Sequence, residues 1–141
     1  MSPADASRLQ GIYRRESRSL LHYVRQAAPW AGPDKELLAT VNRIADEATV
    51  ALEAFAAVFD ANRITPPEAG SFPMAYTDLN FVAVRWLVPK LVAELTAAAG
   101  AVERDAGAIA DPAAREALRR LADLHRKHLA ELAGLTSPAG T

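Results

Sequence analysis

A bundle of four long helices is the fold that this chain of 141 residues predicts. Three observations carry the expectation. Half of the residues are apolar, chiefly alanine, leucine and valine, a mixture rich in strong helix formers. Apolar residues recur at spacings of three and four along four separate stretches. Proline and glycine punctuate the segments between them. The length suits one domain with a substantial core, expected over residues 1–135 with a frayed tail at 136–141.

Helix A is predicted from Ser2, where a cap precedes Pro3 at the first helical position, to about Ala28 before Pro29. Its inner stripe is Leu9, Ile12, Tyr13, Glu16, Leu20, Tyr23 and Val24, with Arg15, Arg18, His22 and Arg25 on the other side. Trp30 follows in a short turn and is expected to lid one end of the bundle. Helix B runs from Asp34 to about Asn62 on the stripe Val41, Ile44, Ala45, Ala48, Leu52, Phe55 and Phe59. A link at 62–74 holds adjacent prolines and a glycine. Helix C is predicted from about Thr77 to Asp105, apolar on nearly every side, with a kink at Pro89. Asp111 and Pro112 open helix D, which stops near Gly134.

The link bears on topology. Extended, it reaches at most about 45 Å, and a helix of about 27 residues is roughly 40 Å long. It can therefore cross the whole bundle and make B and C parallel, or fold as a compact loop in an up-down-up-down bundle. The crossing is slightly favoured because paired prolines hold a chain extended.

Composition narrows the chemistry. A net charge of −1 gives no general pull toward nucleic acid. The absence of cysteine removes disulfides, thiolate nucleophiles and thiolate metal sites. No apolar run approaches the ~18 residues of a membrane span, and the first residues lack a signal-peptide pattern. A cytoplasmic protein without membrane or nucleic-acid partners is expected.

Two polar residues interrupt the apolar stripes: Glu16 on helix A and His125 on helix D. In an antiparallel A–D pair, facing residues have numbers summing to about 140 by the fixed rise of a helix, so the two should meet. The same reckoning brings Glu47 to that level. A buried carboxylate needs a partner, and His125 is predicted to supply it, with His128 at the stripe's edge.

The architecture resembles the ferritin-like superfamily, in its four long helices, long central connection and core-facing carboxylate on helix A. That resemblance implies a di-iron site of four carboxylates and two histidines carried partly by Glu-x-x-His motifs. Here Val50 stands where the histidine after Glu47 belongs, and Ala122 rather than glutamate precedes His125 by three. The full site is therefore not expected, and no cofactor is predicted. The alternative is one divalent metal ion on Glu16, Glu47 and His125.

Helix C offers a second feature. Phe81, Val82, Arg85, Trp86 and Pro89 form a side beyond what a four-helix monomer buries, and aromatics beside arginine are typical of interface cores. The expected function is thus non-catalytic, binding or self-assembly as a homodimer. The alternatives are a metal-dependent or acid–base enzyme using Glu16 and His125, and a bundle holding a small hydrophobic ligand against the alanines of helix B.

Overall fold

The computed structural model describes residues 1–68 and 70–136. Among them the chain forms five α-helices: α1 (Pro3–Ser17), α2 (Leu20–Ala27), α3 (Lys35–Ala61), α4 (Val84–Ala108) and α5 (Pro112–Thr136). A 3-10 helix, Met74–Leu79, precedes α4, and there are no strands among the described residues. Of the expected tail, Thr136 ends α5 and 137–141 lie outside the described residues. No helix among those described is long and apolar enough to cross a membrane.

The first predicted helix is two. Arg18 leaves the helical conformation at φ −106°, and Ser19 takes an extended one at ψ 158°, accepting the His22 N–H on its hydroxyl. Serine competes well for a cap because its side chain replaces a backbone acceptor. The Leu20 N–H, next in the new first turn, is taken by Glu94 of α4 at 2.8 Å. Glu94 therefore fills the notch between α1 and α2. The other starts follow the local chemistry expected of them. Asp111 accepts the Ala114 N–H at 2.9 Å ahead of Pro112, and Ser2 accepts that of Asp5 ahead of Pro3.

Helix α4 begins later than predicted. Asn80 to Ala83 are not helical, and Phe81 is fully exposed rather than part of a buried helix. The link is consequently residues 62–83. It starts where the Gln10 side chain donates to the Thr65 carbonyl at 3.0 Å. It ends where the Val84 N–H donates to the Trp30 carbonyl, also at 3.0 Å, near the opposite end of the α1–α2 pair.

Contacts give the helix directions. Tyr13 packs on Phe59, and Arg25 pairs with Asp46, so α1 and α2 run antiparallel to α3. Arg15 reaches Asp105 and Leu20 reaches Glu94, which makes them antiparallel to α4 as well. Helices α3 and α4 thus share a direction, and the link crosses between their ends. Helix α5 returns alongside α4 with Arg126 on Glu103, parallel to α1. The expected antiparallel pairing of the first and last helices is therefore corrected. Glu16 and His125 do meet, but as equivalent heights on parallel helices; the sum of their numbers had no bearing on it.

The core is in two parts. One half contains Leu9, Ile12, Phe55, Phe59, Leu118 and Leu121. The other contains Leu20, Val24, Ile44, Leu87, Leu91 and Leu132. Between them along α1 lies Glu16, and between them along α5 lie His125 and His128. The polar residues form a layer at the junction of two apolar clusters.

Candidate functional site

The layer is built from the helices inward. Glu16 sits in the last turn of α1, 4% exposed, and His125 in the middle of α5, 3% exposed. His125 Nε2 lies 3.1 Å from Glu16 Oε2. The second oxygen of Glu16 is buried without a hydrogen-bonding partner among the described residues, and so is Nδ1 of His125. The nearest cation to that oxygen is the Arg15 guanidinium at 4.0 Å, which is bound to Asp105 instead. Buried carboxylate oxygens are seldom left unsatisfied.

Both residues line a cavity of about 20 Å³ between the helices, together with His22, Ser19 and Glu94. The rest of its wall is apolar. A space of roughly 10–15 Å³ already accommodates one water, so this cavity suits a water molecule or a single ion.

Glu94 and His22 are the residues that sequence reasoning missed. His22 belongs to the solvated face in an unbroken helix; the break at Arg18 resets the phase and turns it inward. Glu94 is seven residues from Leu87 and three from Leu91, the flank of the buried α4 stripe, and that spacing was the available signal. Burial pushes the Glu94 carboxyl above the usual carboxylate range, against the Leu20 N–H and Tyr76 hydroxyl; Glu16 nearby adds to the rise. The Tyr76 hydroxyl, 3.4 Å from Glu94, is pushed up to about 12 by burial and by that carboxylate. Burial holds the His22 imidazole below its usual range, with Glu16 opposing and His125 adding to the drop.

Glu47 does not join this group. Among the histidines it accepts from His128 alone, Oε1 from Nε2 at 2.9 Å, and it is bound by Arg43 at 2.8 Å. Arg43 also bonds Glu131. His128 is fully buried rather than at the edge of its stripe. The three expected ligands are therefore split, two at the cavity and one at a separate pair. In the present arrangement no three His, Asp or Glu side chains among the described residues are placed to hold a metal ion.

The predicted interface residues gather where α4 begins. Phe81 is fully exposed and Trp86 is 68% exposed. Arg85 is exposed and pairs with Asp34 at 3.2 Å. Pro89 is exposed, and Val82 is half-buried against the second core cluster. Trp30 does not lid the core. Its ring covers Gly32, where a Cβ would stand 2.6 Å from the indole and the φ of +52° already disfavours a side chain, and it is 69% exposed.

No protein-family model, curated protein or solved structure matches this chain.

Proposed function

We propose that the protein is a ferritin-like four-helix bundle, with α1 and α2 together as its first helix, that binds one divalent cation in the polar layer. The architectural part is supported by helix direction: first and last helices parallel, the middle two antiparallel to them, and a link crossing the bundle. The single observation that carries the cation is the buried oxygen of Glu16, without a hydrogen-bond partner among the described residues, at a cavity of ion size.

The donors set what fits. Two carboxylates and two imidazoles, Glu16, Glu94, His22 and His125, suit one borderline ion such as zinc or manganese. They fall short of the four carboxylates of a di-iron centre, because Glu47 is engaged by His128 and Arg43. Loading requires Glu16 and His125 to exchange their mutual hydrogen bond, and Glu94 its bonds to the Leu20 N–H and the Tyr76 hydroxyl, for bonds to the ion. A cavity of about 20 Å³ has no room for an organic substrate or a hydrophobic ligand, which favours an ion over both.

Titration of tag-free, chelator-treated protein with zinc and with manganese tests this. The expected result is about one ion per chain, lost in Glu16→Gln and in His125→Gln and kept in Glu47→Gln. Absence of binding, or equal binding in all three variants, overturns the reading.

A second reading, homodimerisation, is favoured by the exposure of Trp30, Phe81 and Trp86 around one end of the bundle.

A further inference from the structure

On the outer side of Glu94 lies a larger opening, a pocket of about 250 Å³ that shares Glu94 with the inner cavity. Its α1 wall consists of Gly11, Arg14, Arg15 and Arg18, residues spaced to fall on one side of a helix. Pro73 and Tyr76 of the link complete the lining, the Tyr76 hydroxyl bonded to Glu94. We propose that this pocket binds the oxyanion group, carboxylate or phosphate, of a small molecule. The proposal goes beyond the cation site and does not depend on it.

Three observations carry it. The first is charge without a partner. Arg15 is paired with Asp105, but Arg14 and Arg18 make no ion pair among the described residues. Planar guanidinium groups side by side are suited to the paired oxygens of a carboxylate or phosphate. The second is Arg18 itself. Its Nη1 reaches the Ser71 carbonyl at 3.5 Å and its stem packs beside Gly70, while its buried Nε has no acceptor among the described residues. A guanidinium held at a pocket wall with no carboxylate partner among the described residues is prepared for an oxyanion from outside the chain.

The third is Gly11. Glycine in mid-helix costs about 1 kcal/mol relative to alanine. No packing requires it here, since a Cβ at this position would meet nothing within 4 Å. It lines the pocket one turn before Arg14 and Arg15, and its missing side chain leaves that part of the pocket open. Attraction of cations to the C-terminal end of a helix explains why arginines collect in the last turns of α1. It does not explain the buried Nε or the glycine.

Amide NMR spectra of chelator-treated protein, titrated with sodium phosphate and separately with sodium succinate at fixed ionic strength, test the site. The expected result is saturable shifts at Gly11, Arg18 and Tyr76. Saturation by phosphate alone, by succinate alone or by both supports the proposal and identifies the oxyanion. Gly11→Leu should fill the pocket, weaken binding by about tenfold or more, and leave a folded protein, because leucine is the better helix former. Arg14→Gln should weaken it comparably, as loss of a charged hydrogen bond does. Arg120→Gln, an exposed arginine on α5 paired with Glu116, should change affinity by less than about twofold. Failure of both anions to saturate, unchanged binding in Gly11→Leu, or an equal loss in Arg120→Gln overturns it. Because no metal is present, the result is independent of the cation titration.

Discussion

A neutral imidazole sealed between helices makes a fold sensitive to acid. His128 is fully buried, and desolvation holds its pKa below 6.5, against the pull of Glu47 and Glu131; His125 adds to the lowering. His22 is shifted in the same direction. Once unfolded, both histidines regain their ordinary affinity for protons, so below about pH 6.5 the unfolded chain binds more protons than the fold. These histidines should therefore lower stability as pH drops from 7 to 5, while Glu94, whose raised pKa lets the fold bind the extra proton, opposes them. Glu47, whose pKa is lowered chiefly by His128 and then by Arg43, contributes a loss only at lower pH, beneath its ordinary value of 4.5. Urea midpoints across this range check the sign: His128→Gln should show a shallower decline than the parent protein. A His128→Gln midpoint that declines as steeply as the parent's from pH 7 to 5 would rule the mechanism out.

At the scale of elements, the decisive event is the break after α1. A continuous helix would place Ser19 in its interior, where alanine is the better residue by a few tenths of a kcal/mol. In the observed break Ser19 is a cap, and Ser19→Ala should instead destabilise by about 0.5–2 kcal/mol. The two structures thus differ in the sign of a single measurement, read by denaturant unfolding. A stabilised Ser19→Ala would mean that α1 and α2 are one helix and that His22 faces solvent. The notch also explains why Glu94, from a distant part of the chain, ends at the cavity. Its carboxylate satisfies a first-turn N–H of α2 that would otherwise lack an acceptor.

For the whole molecule, the crossing link leaves one end of the bundle aromatic on its outside. Phe81 lies just before α4, Trp86 in its first turn, and Trp30 above Gly32. Burying such a group against a second copy would yield roughly 1.5–3 kcal/mol per large apolar side chain. Light scattering should accordingly find a dimer, and Trp86→Glu should give a monomer with unchanged helix content. A monomeric parent protein at micromolar concentration would remove the dimer reading, leaving the cation and oxyanion sites unaffected.

What the sequence determined by itself was whatever a local pattern could express. The stripe from Val41 to Phe59 gave α3 nearly to the residue, Asp111 and Pro112 gave the start of α5, and their places on apolar stripes marked Glu16 and His125 as core-facing polar residues in need of partners. The tertiary structure decided which side chains share a space. The Ser19 break depends on Glu94 offering an acceptor from another helix, and no pattern within residues 2–28 records that. Glu47 looked like a third ligand by height alone, yet His128 captures it because the direction of α5 turns that histidine toward α3. The pocket of Gly11 and its arginines needs the returning link as its far wall. Local spacing fixes which way a side chain leaves its own helix, whereas a site depends on how several helices are set against one another.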